Sequence, residues 1–532
     1  MRQTHDTILM AMWLSAAAMV LTVGASAQDT TAGQQLDTYV VGAALPPLQE
    51  GGAVLPMTLE GAITRALTAN LDIQTAQLTP RIQSFSLQAA QAAFSPTLSG
   101  SYRYNNATRQ STSQLDGGAR TTTRLHSLNT SLSQDVPWYG GRLSADFNNT
   151  RTATDNRFAT LNPSYNSSVS LNYTQPLLAG RATDNQRTTL ETQEIQGEIT
   201  DLQLSSLISN VTDLVRVRYW GLRAAIEQIE IQRRALQQAE QLLADNQLRV
   251  RLGSMAQIQI VQAESQVAAA QQALLNAEVQ WRNAELALKS LLISGADDPL
   301  LGQTINPSDL PTLRAQAVDI AAAIQVALGQ RADLRQERQR LEIAQLELEV
   351  TDQSTLPTLD LTAAYSLQGV GGNVFDRSGL GGEPVLVEQG GYWDGLGSIA
   401  AFDTPTWSLS MNFSYPIGMR LGKASAERAR LQFEQAELAI RSQELAVITE
   451  VTSAGLAVTD TNLQLQAAQR SRELAEQSAL AEITRFNAGA ATNFEVGQAN
   501  DDLTSARLSE LRALINHINA IADFERVQRV GG

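Results

Sequence analysis

The chain has 532 residues, a formal charge of −15, 43% hydrophobic residues and no cysteine. The absence of cysteine excludes disulfides and thiolate metal sites. The only lysines are Lys289 and Lys423, and a nucleic-acid-binding protein would need a clustered basic face. We therefore expect no nucleic-acid partner.

Residues 1–27 are predicted to be a signal peptide. An apolar stretch over residues 8–23 is followed by Ala25-Ser26-Ala27, the small-x-small pattern at which signal peptidase cuts. This stretch is shorter than the roughly 20 residues that a spanning helix needs. We expect an exported protein whose mature part begins with a linker, residues 28–56, that is polar and rich in Gly and Pro.

The mature chain contains two copies of one plan. AITRALTANLDI, residues 62–73, aligns with AIQVALGQRADL, residues 323–334, at an offset of 261. RVRLGSMAQIQIVQA, residues 249–263, aligns with RFNAGAATNFEVGQA, residues 485–499, at an offset of 236. The two predicted repeats cover residues 57–312 and 313–532.

Each repeat contains short and long helices. A helix pair opens each repeat, over residues 58–95 and 316–355, with Thr58 as a predicted N-cap. Apolar residues three or four apart then predict very long helices that pack along one face. A helix of about 65 residues is a rod roughly 100 Å long. The predicted long helices are residues 185–250, 255–293, 424–487 and 491–528.

Strict alternation of apolar and polar side chains predicts strands between these helices. In TWSLSMNFSYPIG, residues 406–418, apolar side chains from Trp407 to Tyr415 alternate with Ser and Asn. A large apolar face with terminal aromatics opposite a small uncharged face is typical of a transmembrane β-barrel. A soluble sandwich is the alternative, but its outward faces usually carry more Lys and Glu. The predicted strands are residues 97–106, 124–135, 142–152, 166–175, 358–368 and 406–415.

The links between strands predict their orientation, because outer-membrane barrels have short periplasmic turns and long outer loops. Residues 107–123, 153–165 and the Gly-rich 369–405 form long links, whereas residues 137–141 form a short turn on the side of the helices. Proline ends a ladder because it has no N–H to donate. The prolines predicted to mark the junction of barrel and helices are Pro96, Pro176, Pro357 and Pro416.

In the order and duplication of these motifs, the chain resembles the TolC family of outer-membrane efflux proteins. The resemblance extends over essentially the whole mature sequence and rests on MTLEGAITRALTANLDI, TQPLLAG, SYPIG and the turns RLGSMAQIQIVQAES and RFNAGAATNFEVGQA. It implies an α+β membrane protein: a homotrimer whose transmembrane β-barrel continues into a long α-helical coiled-coil periplasmic tunnel. The implied location is the outer membrane of a Gram-negative bacterium, in contact with its lipid, and no cofactor is implied.

The implied partners are a periplasmic adaptor (membrane fusion) protein and an inner-membrane pump of the RND, ABC or MFS type. Members of the family usually contribute four strands per chain, or twelve in the trimer. The additional hairpin over residues 124–152 predicts six strands per chain and eighteen in the trimer. The alternative is that this hairpin folds outside a twelve-stranded wall.

The family's periplasmic constriction, carried over by position, falls on Glu495, with Gln498 where a second acidic residue often stands. The partners of the family's closing latch fall on Ala491 and Gln259, which leaves that latch in doubt. A ring of three Glu495 side chains would repel itself, raise at least one pKa and favour cations. Alternatively, Glu495 is one solvated helix residue among many.

The turns at residues 249–256 and 485–492 resemble the tips at which adaptor hairpins dock. Glycine suits the tight reversal between two helices because it accepts a positive φ. The alternative, that they are only turns between helices, is compatible with docking. The predicted docking residues are Arg249, Gly253, Ser254, Arg485, Gly489 and Ala490.

We expect no enzyme. The mature chain holds two histidines, His126 in a predicted strand and His517 in a predicted helix, and has neither a GxSxG motif nor a P-loop. The acid pairs 297–298 and 501–502 are interpreted as a turn and a solvated helix face rather than a glycosidase site. The predicted function is a passive efflux conduit for small toxic compounds. The alternatives are a conduit for type I protein secretion and a structural or adhesive envelope protein with no open path.

Overall fold

The computed structural model describes residues 44–47, 53–112, 118–310, 318–377, 379, 382–415, 417–418 and 420–529. These residues all lie in one compact unit that spans residues 41–532. The predicted signal peptide, most of the predicted linker and Pro416 lie outside the described residues.

The described part of the chain contains short helices, strands and very long helices. The helices are α1 (Leu59–Ala69), α2 (Leu71–Ala92), α3 (Asn185–Arg251), α4 (Ile258–Leu292), α5 (Ile320–Gln330), α6 (Ala332–Gln353), α7 (Tyr392–Ala400), α8 (Arg420–Asn487) and α9 (Asn493–Arg529). The strands are β1 (Val54–Met57), β2 (Thr97–Gln110), β3 (Arg120–Asp135), β4 (Arg142–Thr154), β5 (Leu161–Pro176), β6 (Thr304–Pro307), β7 (Thr358–Asp376), β8 (Val385–Glu388) and β9 (Pro405–Ser414). Four of these elements, the short β1, β6, β8 and α7, are ones that the sequence did not predict.

The long helices form two antiparallel pairs, α3 with α4 and α8 with α9, and α3 also packs against α9. α3 has 67 residues and α8 has 68. Small buried residues, among them Ala263, Ala277 and Ala479, allow the helices of each pair to approach closely. Within the described residues, no helix has both the length and the apolar character that a membrane span requires.

The short strands β1 and β6 pack against the middle of α3. β1 and β6 form a parallel two-stranded sheet, and the Tyr219 hydroxyl of α3 donates to the Met57 carbonyl oxygen at 3.0 Å. Burial raises the pKa of Tyr219 to about 12. Arg223 and Glu227, both buried, form an ion pair of 2.6 Å on the same helix. These contacts hold β1 and β6 against α3.

The other strands form one antiparallel sheet in the order β2-β3-β4-β5-β7, with β9 and β8 both pairing with β7. β9 pairs with residues 358–367 of β7, and β8 pairs with residues 374–376. The hairpin β3-β4 lies inside the sheet, between β2 and β5. In the described part of the chain, six long strands therefore form one continuous sheet.

The two faces of this sheet differ in polarity. On one, the apolar face, large side chains are exposed: Leu98, Leu132, Leu143, Val169, Leu171, Tyr365, Trp407, Leu409, Met411 and Phe413. The opposite, polar face carries mainly Ser, Thr and Asn. Its acid Asp146 accepts hydrogen bonds from Ser131, from Ser144 at 3.1 Å and from Asn172 at 3.0 Å.

The link that we predicted as a long loop after residue 368 is largely ordered in regular elements. β7 continues to Asp376, and β8 and α7 follow before β9. Glycine-rich composition favoured a loop, but these glycines allow close packing. A Cβ at Gly369 would overlap the Gly395 carbonyl oxygen, and one at Gly371 would overlap that of Gly391. α7 therefore rests directly on the apolar face of β7.

Candidate functional site: helix tips and the junction of sheet and helices

The first tip joins α3 to α4 through a glycine turn. α3 ends at Arg251, and Gly253 follows with a φ of +77°. The Gly253 N–H donates to the Val250 carbonyl oxygen and the Ser254 N–H to that of Arg249, both at 3.0 Å. These bonds satisfy carbonyl oxygens that the end of a helix leaves unpaired. Glycine is required here because a side chain would be strained at this φ.

The second tip, between α8 and α9, repeats this geometry. Gly489 has a φ of +78°, and its N–H donates to the Phe486 carbonyl oxygen at 3.0 Å. The Ala490 N–H donates to the Arg485 carbonyl oxygen at 2.8 Å. The Arg485 side chain forms an ion pair of 2.6 Å with Glu482 of its own helix. Of the six residues predicted for docking, Arg249 and Arg485 thus lie at the ends of α3 and α8, and the other four lie in the two matching turns that follow.

Arg249 connects the two tips. Its Nη1 donates to the Phe486 carbonyl oxygen at 3.4 Å, and its Nη2 donates to Asn487 Oδ1 at 3.2 Å. Its guanidinium also lies over the Phe486 ring, 4.2 Å from the centroid. Phe486 is itself buried with Leu242 and Val496 in a small apolar cluster under the tips. The sequence placed Arg249 at a tip but did not indicate this bridge, which depends on how α3 packs beside α8.

Glu495 is exposed in the first turn of α9, where it forms a capping box with Thr492. Its Oε2 accepts the Thr492 N–H at 2.6 Å and the Thr492 hydroxyl at 2.9 Å. The backbone hydrogen bond from Thr492 is the main cause that lowers the pKa of Glu495. Within one chain the pKa of Glu495 is thus lowered, whereas a ring of three carboxylates would raise it. With a lowered pKa, the Glu495 carboxylate is charged at neutral pH.

Gln498 lies on the same face of α9 as Glu495 and donates from Nε2 to Asp502 Oδ1 at 2.9 Å. Asp502 is also exposed and continues this face one turn further along the helix. The neighbouring Asp501 has a raised pKa because of burial, with the Asp502 charge as a second cause. The sequence alone indicates only a solvated helix face for this acid pair. Residues 495, 498 and 502 are three and four positions apart, which places them on one helix face. This spacing is the sequence signal that indicates Asp502 as part of the candidate site.

The two latch positions make packing contacts. Ala491 packs against the apolar cluster under the tips, and the Oε1 of Gln259 is buried without a hydrogen-bond partner. α4 and α9 approach closely further from the tip, where a Cβ at Gly497 would overlap the side chain of Gln266. Neither position provides a charge for an ion-pair latch.

The junction prolines lie at strand ends. Pro96 and Pro357 immediately precede β2 and β7, and Pro176 is the last residue of β5. Beyond Pro176, the Leu177 N–H still donates to the Leu359 carbonyl oxygen at 2.8 Å. The chain therefore passes from a helix into the sheet at Pro96 and Pro357, and leaves the sheet toward α3 at Pro176.

The short turn between β3 and β4 packs on the start of α3. Asp184 caps α3 by accepting the N–H of Arg187, whose Nη2 donates to the Gly180 carbonyl oxygen at 2.7 Å. Gly140 has a φ of +65°, and a Cβ there would lie 2.5 Å from the same oxygen. Gln175 Nε2 donates to the Tyr139 carbonyl oxygen at 2.6 Å. Sheet and helix are thus joined through a turn that tolerates no side chain at Gly140.

Among the described residues, no three His, Asp or Glu side chains are grouped so that they would hold a metal ion. The arrangement brings together a two-faced sheet, long paired helices and an acidic face of α9 beside the second tip. These features suit the conduction of solutes.

Comparisons with known proteins agree with this arrangement. Two solved structures share the fold: the CmeC outer membrane channel of Campylobacter jejuni and the outer membrane protein VceC of Vibrio cholerae. CmeC has a TM-score of 0.64 at 15% identity, covering 89% of this chain and 86% of its own. VceC has a TM-score of 0.63 at 14% identity, covering 89% of this chain and 96% of its own.

Sequence comparison identifies the family. The pyoverdine export outer membrane protein OpmQ of Pseudomonas putida is 26% identical over 304 residues, 54% of this chain and 57% of OpmQ. The match thus spans less than two thirds of that relative's length. The profile of the family described as outer membrane efflux protein matches residues 142–292 and 323–523, more than half of the chain. The chain belongs to the outer membrane efflux protein family and is located in the outer membrane.

Proposed function

We propose that the protein is the outer membrane channel of a tripartite efflux system and conducts solutes passively from an inner-membrane pump to the exterior. The observation that carries this proposal is the two-faced sheet. Its apolar face is exposed along the strands, its polar face carries Ser, Thr and Asn, and its strands continue at Pro96, Pro176 and Pro357 into the helix pairs. A wall of this kind suits lipid on one side and water on the other.

Closure of the wall requires further copies of the chain. Within the described residues, β2 pairs only with β3 and β9 only with β7, so both edges of the sheet are open. Barrels in outer membranes begin at about eight strands. Three copies joined from β9 of one to β2 of the next would form a barrel of about eighteen strands, a size that leaves an aqueous channel. The hairpin inside the sheet supports eighteen strands over twelve.

The periplasmic end of the channel is proposed to narrow at the second tip. Glu495, Gln498 and Asp502 share one exposed face of α9, and three copies would surround the axis with carboxylates and amides. Such a ring favours cations and repels anions at the mouth. The bridge from Arg249 to Phe486 and Asn487 holds the tips together and must break if the tips separate.

The matching turns of the two tips are proposed to dock a periplasmic adaptor. Each presents exposed backbone and an arginine, Arg249 or Arg485, at the end of a long helix. An adaptor bound there would connect the channel to a pump, which supplies the energy. Small compounds are the proposed cargo, by analogy with OpmQ, which is named for pyoverdine export. The proposal assigns no enzymatic step.

The first test is electron microscopy of the detergent-purified protein, combined with conductance of the same sample in planar bilayers. We expect a threefold hollow particle with about eighteen strands in its barrel section and discrete conductance steps. A monomer, a solid rod or the absence of conductance would contradict the proposal. Deletion of the gene then distinguishes the two possible kinds of cargo. Dye accumulation in the deletion strain supports efflux of small compounds, whereas loss of an exported protein supports type I secretion.

A further inference from the structure

A row of polar aromatic and cationic side chains crosses the apolar face of the sheet. Tyr104, His126, Arg151 and Tyr165 are direct cross-strand partners on β2, β3, β4 and β5. The row lies further from the helices than Leu98, which precedes Tyr104 on the same face of β2. Tyr392 of α7 extends the row, with its ring centroid 6.1 Å from that of Tyr165.

These side chains contact one another across the strands. Tyr102 and His126 share a hydrogen bond of 2.8 Å between the hydroxyl and Nδ1, and the Tyr104 and His126 ring centroids lie 4.8 Å apart. Arg151 Nε donates to the Tyr165 hydroxyl at 3.2 Å. We call these five residues, Tyr102, Tyr104, His126, Arg151 and Tyr165, the outer belt.

Arg124 adds a second guanidinium beside the outer belt. It stands two residues from His126 on β3, on the same face, and its partner Ala153 is two residues from Arg151 on β4. Such diagonal positions are about 7–8 Å apart. Arg124 is exposed, and in the described part of the chain neither it nor Arg151 takes part in an ion pair. The carboxylate of Asp155, beyond the end of β4, accepts the Thr122 N–H at 2.7 Å.

Charged side chains on a face that contacts lipid are costly unless they meet charged head groups. Tyrosine favours the boundary of hydrocarbon and water, and arginine binds phosphate oxygens through several N–H groups. The outer belt combines both types where the apolar positions end. Trp393 of α7, 78% exposed, adds another aromatic beside Tyr392.

We propose that Arg124 and the outer belt, which includes Arg151, bind the phosphate groups of phosphorylated lipids in the outer leaflet. This proposal rests on the membrane-spanning sheet of the proposed function. The guanidinium groups bind phosphate oxygens, while the tyrosine rings pack against the lipid at the level of its head groups.

The test titrates the purified protein in a neutral detergent with a diphosphorylated glycolipid, using native mass spectrometry to count bound lipids. The dephosphorylated form of the same lipid and inorganic phosphate serve as competitors. The variant R124Q/R151Q removes the two charges. The matched control R103Q/R109Q removes two exposed arginines from the polar face of β2.

We expect the wild type to prefer the phosphorylated lipid, and R124Q/R151Q to lose about tenfold in affinity, since hydrogen bonds between charged groups are lost. R103Q/R109Q should bind as the wild type does. An equal loss in both variants, or no preference for the phosphorylated form, would overturn the proposal. If inorganic phosphate competes fully with the lipid, the site binds phosphate alone and the lipid is not its ligand.

The bilayer conductance of R124Q/R151Q separates this proposal from the proposed function. We expect wild-type conductance steps, since the two arginines lie on the face opposite the polar one. Conductance with no lipid preference would refute only the lipid site, whereas lipid preference without conductance in the wild type would refute only the channel.

Discussion

At the scale of single residues, Arg249 holds the two tips together. Arg249→Ala removes its hydrogen bonds to Phe486 and Asn487 and its contact with the Phe486 ring. These losses should weaken the closed tips by about 1–2 kcal/mol, which raises the open population about tenfold. Single-channel recording measures this population. The control is Arg251→Ala, since among the described residues Arg251 bonds only to Gln247 of its own helix, and an equal effect there would refute the bridge.

Glu495 is proposed to select cations at the second tip. Glu495→Gln should move the reversal potential in a salt gradient toward that of an unselective pore, because the carboxylate that attracts cations is lost. Glu427→Gln, an exposed acid at the other end of α8, should leave the potential unchanged. Unchanged selectivity in Glu495→Gln would favour the interpretation of Glu495 as a solvated helix residue.

The pH dependence of this selectivity has a defined direction. The hydrogen bond from Thr492 lowers the pKa of Glu495 below its ordinary value, so the charge is lost only as the pH falls through that lowered value. Cation preference should therefore persist at about pH 5. Its loss well above that pH would indicate that repulsion between the three Glu495 carboxylates outweighs the cap.

At the scale of elements, adjacent residues of β9 test the assignment of the two faces. Met411 lies on the apolar face and Asn412 on the polar face. Met411→Arg should lower the free energy of unfolding in lipid vesicles by about 2–4 kcal/mol, because the charge would enter hydrocarbon. Asn412→Arg places the same charge on the polar face and should cost much less. Equal losses in urea titrations would reject the assignment.

The periodic elements were predictable from the sequence, and the reason is local. The alternation from Trp407 to Tyr415 fixes a strand without knowledge of its neighbours. The outer belt was not predictable, because Tyr104, His126, Arg151 and Tyr165 stand on four strands and meet only through register. α7 was missed because Gly369 and Gly371 favoured a loop, whereas in the fold they make room for its backbone.

At the scale of the whole molecule, the candidate site was predicted only in part. Gly253 and Gly489 mark the tips because a positive φ restricts the residue type. The bridge made by Arg249 and the continuation of the acidic face to Asp502 depend on packing and spacing that no single motif encodes. The proposed trimer rests on the open edges of β2 and β9, which appear once the strands of the larger sheet are placed in order.

The open edges also have a genetic consequence. In the proposed trimer, a chain with a damaged β9 edge would keep an intact β2 edge, so it would still enter an assembly and leave that assembly unsealed. If damaged and intact chains are made in equal amounts and mix freely in threes, roughly one assembly in eight contains only intact chains. A defective allele would therefore act dominantly, and a cell carrying both alleles would lose most of its export capacity rather than half of it.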